Sequence, residues 1–255
     1  YGIDHRWEEV LSGHCDNLMV IDDLADRRHQ CNLLLDQNWH GPTTHQRYNG
    51  LISDKALTLL GPEYALLRPD YLLLRKLMPP RDGNITRVLV FMGGSDPGNE
   101  TEKVLRALSS PDLCNLVIDV VLGANHPDAE GIRLLGKTRA RVNIHQNLPG
   151  LAGLMVKADL MVGAGGATTW ERMCLGLPSI IISIANNQTP INRALMEAGF
   201  VNFLGESSDV SEQDISEAIR RNLVSREQMQ SQSRLIESLV PGDGVAKTVS
   251  HLIRS

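Results

Sequence analysis

From Asn17 onward, short apolar and β-branched runs alternate with segments of helical period, the pattern of a parallel sheet covered by helices. In the first part LMVIDD (18–23), NLLLDQN (32–38) and ALTLLG (56–61) read as strands, with no convincing long helix between them. The segment MPPRDGNIT (78–86) gathers prolines, a glycine and polar residues between two apolar patterns, and it is the best linker candidate. A fuller alternation follows, with strands at RVLVFMGG (87–94), NLVIDVVLG (115–123), VNIHQN (142–147), LMVGAG (160–165), SIIISIA (179–185) and FVNFLG (200–205). Helices are expected between them at about 100–108, 127–135, 151–158, 168–175 and 190–198, and then at QDISEAIRRNL, QMQSQSRLIESL and GVAKTVSHLI. The expected organisation is the later portion of a Rossmann-like domain over 1–80, a UDP-sized Rossmann-like domain over 87–240, and a terminal helix over 241–255. No internal repeat or low-complexity segment interrupts this plan.

Composition narrows the function classes. The 255 residues are 42% hydrophobic, enough to bury one large or two medium cores. A formal net charge of −5 without a dense Lys/Arg block argues against a nucleic-acid surface, with Arg27 and Arg28 only a local basic pair. Cys15, Cys31, Cys114 and Cys174 are widely spaced and form no CxxC pair, which favours reduced, mostly buried thiols in a cytoplasmic protein over a zinc site or a disulfide frame. No run approaches the roughly 20 apolar residues that span a bilayer, so no integral membrane segment is expected. The chain begins with Tyr1 rather than Met and shows no signal-peptide pattern, from which a fragment or processed form is expected.

Chemistry concentrates in loops that follow strands. In GAGGATTWERMCLGLP (163–178) an apolar run stops at two glycines, and a helical pattern from Thr168 carries Glu171 one turn in. Glycines allow close approach of an anion to backbone N–H groups at a helix start, and a carboxylate one turn on can accept from two hydroxyls of a ribose diol. Thr168 and Glu171 also have the spacing of a capping box, in which the carboxylate folds back onto the backbone, and spacing alone does not separate the two roles. Gly93–Thr101 holds GGSDPGNET, where Gly94 and Ser95 can approach a phosphate; an ordinary cap by Asn99 with Glu102, after a turn at Asp96 and Pro97, is the structural alternative. ANNQTPIN (185–192) leaves Asn186, Asn187 and Gln188 at a strand's carboxyl end, where amides suit sugar hydroxyls or acetamido groups, with a Thr189 cap and Pro190 starting the next helix. The eight histidines show no metal spacing, no GxSxG or Ser/His/Asp order is present, and neither a metal nor a cofactor is expected.

The runs IDDLADRRHQCNLLLDQN, LGPEYALLRPDY, MGGSDPGN, ADLMVGAGGATTWERMCLGLPSI and ANNQ, taken in order, resemble the UDP-2,4-diacetamido-2,4,6-trideoxy-β-L-altropyranose hydrolases of pseudaminic acid biosynthesis. That family is related to the MurG-type glycosyltransferases. The resemblance implies a GT-B fold of two Rossmann-like domains, the N-terminal one incomplete in this chain. It implies UDP held by the C-terminal domain, with Glu171 on the ribose hydroxyls, the amides of Gly166, Ala167 and Thr168 on the diphosphate, and the backbone near Leu151 on the uracil. Gly94 and Ser95 would line the cleft, and Asn187 with Gln188 would face the sugar at the reaction centre. The implied reaction is metal-independent attack of water at the anomeric carbon with inversion.

One element of the family pattern is missing. Members begin with a strand and a GxGHxxR-type turn whose histidine is the general base; this chain has no such motif, and its first residues, Tyr1 to Asp4, resemble a segment from well inside the N-terminal domain. Three roles follow as expectations: a UDP-sugar hydrolase, a UDP-sugar-dependent glycosyltransferase of MurG type using the same donor site, or a catalytically weak UDP-sugar-binding fragment. No motif speaks to oligomeric state.

Overall fold

Strands β4, β7 and β8 are apolar on both faces because helices cover both faces of their sheet, so they read as continuous runs rather than as an alternation. The computed structural model describes residues 2–254, which places the Tyr1 end of the first segment and Ser255 of the terminal segment outside the described residues. The first part of the chain forms α1 (His5–Ser12), β1 (Met19–Ile21), β2 (Leu33–Asp36), β3 (Leu57–Leu60) and α2 (Pro69–Leu77). The second forms β4 (Arg87–Phe91), α3 (Glu100–Leu108), β5 (Val117–Leu122), α4 (Ala129–Lys137), β6 (Val142–Gln146), α5 (Ala152–Lys157) and β7 (Leu160–Ala164). It continues through α6 (Thr168–Cys174), β8 (Ser179–Ser183), α7 (Thr189–Glu197), β9 (Asn202–Glu206), α8 (Glu212–Leu223) and α9 (Arg226–Leu239) to α10 (Gly244–Arg254).

The strands pair only in parallel, in two sheets of order β1-β2-β3 and β6-β5-β4-β7-β8-β9. In the larger sheet the chain builds outward from β4 to one side and then from β7 to the other, so the order reverses between these neighbours and opens a crevice at their carboxyl ends. Alternate residues divide the core. Val88, Val90, Val162, Ile180 and Ile182 pack towards α3, α4 and α8, while Leu89, Met161 and Ile181 pack towards α5, α6 and α9.

The second of these cores also receives Ala65, Leu67 and Tyr71 from the first part of the chain, and Trp39 meets Phe200 edge-on at 5.6 Å. Two sheets sharing buried apolar residues cannot slide freely past one another. The helix α10 then returns to the first sheet: Leu252 packs with Leu33, Leu35 and Leu59, and Gly244 lies so close to Ala65 that a Cβ would meet its carbonyl oxygen at 2.4 Å.

Two helices escape the sequence reading. α1 and α2 are short, of 8 and 9 residues, and α2 is announced only by the Arg68-Pro69 step that presets its first turn. Cys31 and Cys174 are buried, whereas Cys15 and Cys114 are exposed, because the latter pair sits in the turns after α1 and before β5. No helix among the described residues is long and apolar enough to cross a membrane.

The stretch 78–86 is held down by Arg81. Its guanidinium donates to the carbonyls of Met155 (2.9 Å), Ala158 and Leu175 (3.1 Å), which are the unsatisfied carboxyl ends of α5 and α6. Burial lowers this cation to about 10, and it remains charged at neutral pH at two negative helix ends. Arg81→Ala is expected to cost about 2–4 kcal/mol by leaving buried carbonyls without donors, read as a lower urea midpoint.

Candidate functional site

β7 ends in a turn that only glycine can make. Gly166 has φ +113°, and a Cβ on Gly165 would stand 2.7 Å from the Asn192 side chain. α6 starts immediately afterwards with Ala167 at its N-cap and no side-chain cap bond, so the Thr168–Glu171 capping box does not form. The Thr169 and Trp170 amides bond back to the Gly166 and Ala167 carbonyls at 2.9 and 3.2 Å.

Behind this turn lies Arg172, with no exposed surface at all. Its guanidinium donates to the Ala164 carbonyl at the end of β7 (3.2 Å) and to the Thr169 hydroxyl at the start of α6 (2.8 Å), tying the two flanks together. Burial lowers it to about 9, which still leaves a positive charge next to the amino end of a helix. Glycine turn, helix start and sealed cation all favour an anion in front of the turn.

Glu171 points instead towards α2. Its carboxyl is raised above the ordinary value by burial, a rise that Asp70 reinforces and that the Tyr71 hydroxyl, Arg68 and Arg172 oppose. Arg68 also donates to the Pro149 carbonyl at 2.7 Å, bringing α2 against the loop that leads into Leu151 and α5. Leu151 itself is buried in the core shared with Tyr71 and Trp170.

A cavity of about 420 Å³ opens between the two sheets. One wall is Gly166, Ala167, Thr169, Trp170, Asn187 and Gln188; the other is made by Asp22 and Asp23 just past β1, with Asp36, Gln37 and Asn38 where β2 ends. Of the residues expected at the site, Gly166, Ala167, Asn187 and Gln188 therefore meet around one cavity. Thr168 lies beside them at the helix start, while Gly94, Ser95, Leu151 and Glu171 stand outside its lining. A second hollow of about 330 Å³, around Arg81 and Asp159, lies at the amino ends of β7 and β8, away from the end where ligands of open sheets bind.

The wall supplied by the first sheet was missed by sequence reasoning, although its signal was present: acidic and amide residues directly after two apolar strands, in IDD and DQN. A buried network holds it. Tyr48 donates to Asp22 (2.9 Å) and Asp36 (3.3 Å), Arg27 pairs with Asp22 (2.8 Å), and Arg47 stands 3.4 Å from Asp36. Burial alone would raise the Asp22 carboxyl, but the Ala25 amide, the Tyr48 hydroxyl and Arg27 outweigh it and hold it below the usual range. Further back, His29 Nδ1 lies 2.7 Å from the buried Glu8 carboxylate.

The two remaining loops differ from their expected caps. α3 is capped by Asp96, whose carboxylate accepts from the Glu100 and Thr101 amides at 2.9 Å, because Asn99 adopts a left-handed conformation and bonds Glu102 through its side chain only. At 185–192, Asn186–Gln188 form a 3₁₀ turn, α7 takes Gln188 as its N-cap, and Thr189 becomes its first residue. The Gln188 side-chain oxygen accepts from the Ile184 amide (3.1 Å), pinning the turn to the end of β8, and Asn187 is exposed at its tip.

Two parallel α/β units with a cleft between the carboxyl ends of their sheets define a GT-B type fold, and comparison with solved structures agrees. MurG of Acinetobacter baumannii superimposes with a TM-score of 0.66 at 13% identity, covering 98% of this chain and 76% of that one. No protein-family model matches the chain. Among curated sequences, the spore coat polysaccharide biosynthesis protein SpsG of Bacillus subtilis is 27% identical over 193 residues, 75% of this chain and 57% of that protein. A UDP-N-acetylglucosamine–N-acetylmuramyl-(pentapeptide) pyrophosphoryl-undecaprenol N-acetylglucosamine transferase of Exiguobacterium sp. is 29% identical over 175 residues, 66% of this chain and 48% of that protein. The chain thus spans about half the length of these two relatives.

Glu171 carries a stability signature of its site. A carboxyl raised by folding binds its proton more tightly in the folded state, so it opposes folding above its folded value, and the penalty disappears as pH falls to the unfolded value near 4. Glu171→Gln is expected to melt at a higher temperature than the parent at neutral pH, with the difference vanishing near about pH 4. Melting curves collected across that range test the sign.

Proposed function

We propose that the cleft binds a UDP-sugar and that the protein transfers the glycosyl group from UDP to a hydroxyl acceptor, as a glycosyltransferase of GT-B type. The observation that carries this reading is the glycine turn after β7, backed by Arg172, opening into a cavity whose far wall is built from the other sheet. The likeness to MurG and to a UDP-N-acetylglucosamine-dependent transferase supports it.

In this reading the diphosphate lies on the amides of Gly166, Ala167 and Thr168, where the Arg172 charge and the helix dipole stabilise the negative charge that grows as UDP departs. Glu171 accepts from the ribose hydroxyls, and the backbone near Leu151 meets the uracil. The sugar enters the cavity between Asn187 with Gln188 on one side and Asp23, Gln37 and Asn38 on the other. The acceptor oxygen attacks the anomeric carbon from the side opposite UDP, the carbon–oxygen bond to UDP breaks with its electron pair leaving on the diphosphate, and the acceptor loses its proton.

Hydrolysis, with water in the acceptor's place, is the second reading. It is favoured by the ordered run of motifs shared with the nucleotide-sugar hydrolases, from IDDLADRRHQCNLLLDQN to ANNQ.

Incubation with UDP-sugars separates the two: UDP release that depends on an added acceptor supports transfer, whereas free sugar and UDP formed without acceptor replaces it with hydrolysis. UDP binding without any turnover would reduce the chain to a binding module. Asn187→Ala is expected to leave UDP affinity within about twofold and to lower turnover by about 10²-fold, measured in the polypeptide that shows turnover. Gly166→Ala, forced into a conformation that costs a non-glycine residue about 1–3 kcal/mol, is expected to reduce the melting-temperature rise produced by UDP.

A further inference from the structure

Tyr71 sits on α2, in the first part of the chain, yet its ring belongs to the core of the second. The side chain is 1% exposed, and its hydroxyl finds no acceptor within hydrogen-bonding geometry. Beside it is Glu171, whose charge adds to the effect of burial in raising the phenol above its ordinary value. A buried hydroxyl without a partner costs about 1–3 kcal/mol, and a phenylalanine would fill the same space without that cost. The nearby acceptor is the Glu171 carboxylate, which a small rotation brings into line.

We infer that Tyr71 is a positioning residue for Glu171: its hydroxyl donates to one carboxylate oxygen when ligand is bound, turning the remaining lone pairs towards the ribose diol. This rests on the reading of Glu171 as the ribose contact. An ionised carboxylate offers about four acceptor positions, so one phenol and two ribose hydroxyls are accommodated together. The phenol also favours the ionised form, which burial and Asp70 oppose and which Arg68 and Arg172 support. Arg68, through its bond to the Pro149 carbonyl, anchors the same helix to the loop before α5. Nucleoside recognition thereby draws on both parts of the chain, and α2 becomes one wall of the nucleoside pocket.

The test is calorimetric titration of the 255-residue protein with UDP and with 2′,3′-dideoxy-UDP, between about pH 5 and about pH 8, for the parent, Tyr71→Phe and Glu171→Gln. The ratio of the two affinities cancels diphosphate titration and isolates the diol. Tyr71→Phe is expected to shrink that ratio about 5–10-fold by weakening UDP alone, the loss of about one hydrogen bond to a charged group. It is also expected to shift the acidic fall of the ratio to higher pH, because a donor to the ionised carboxylate has been removed, and to leave the melting temperature unchanged or higher. An unchanged ratio and pH limb in Tyr71→Phe, or equal weakening of both nucleotides, overturns the inference. Glu171→Gln keeps the two readings apart. Collapse of its ratio with no change in Tyr71→Phe removes Tyr71 alone, whereas a ratio preserved in Glu171→Gln removes the ribose contact and the inference with it.

Discussion

The Arg172 guanidinium bridges the end of β7 and the start of α6 with none of its surface in contact with solvent, and the geometry of the candidate site hangs on that bridge. Withdrawing a cation from water costs several kcal/mol, and only hydrogen bonds to a carbonyl and a hydroxyl offset it here, with no carboxylate in direct contact. An anion in front of the glycine turn supplies the missing countercharge. The same bridge fixes where the turn stands relative to the sheet, because it joins the two elements on either side of Gly165 and Gly166. Glu171, the next residue back along the helix, is thereby aimed away from the turn and towards α2.

The cleft exists because two independent parallel sheets present their carboxyl ends to one another. Parallel pairing puts every strand's outgoing loop at the same end, so loops distant in sequence, after β1, β2, β7 and β8, arrive around one cavity without any of them needing a special connection. Their relative placement comes from packing: Ala65, Leu67 and Tyr71 are buried in the core of the larger sheet, and α10 returns to the smaller one. Arg81 closes the arrangement by satisfying two helix ends from the connecting stretch. The acidic wall of the cavity is stiff for a related reason, since Tyr48 and Arg27 hold Asp22 and Asp36 by hydrogen bonds that remain buried. A neutral, hydroxyl-rich group suits that wall, while the anion belongs on the opposite side.

Period and punctuation made most of the elements legible before any coordinates. The alternation of apolar runs with helical patterns gives α3 its bounds and brings the other long elements of the second part to within a residue or two, because both faces of their sheet are buried and the pattern is strong. Short amphipathic segments are weaker signals, and α1 and α2 were lost among polar residues. Caps misled where a side chain close in sequence was beaten by a better-placed one: Asp96 reaches the first amides of α3 that Asn99, in a left-handed conformation, cannot. Glu171 illustrates the limit most clearly, because the capping box and the ligand contact share one spacing and differ only in where the side chain turns.

By itself the sequence determined the α/β class, the position of each glycine turn and the chemical character of the loops, since these depend on local conformational freedom and on the period of burial. It also carried the motif order that resembles nucleotide-sugar enzymes. Only the tertiary structure decided which loops share a cavity, that residues 22–23 and 36–38 form its second wall, that Arg172 is sealed behind the turn, and that Tyr71 stands beside Glu171. Those facts depend on contacts between residues up to roughly a hundred or more positions apart, which no local pattern encodes, and they are fixed by which apolar faces bury each other when the two sheets meet.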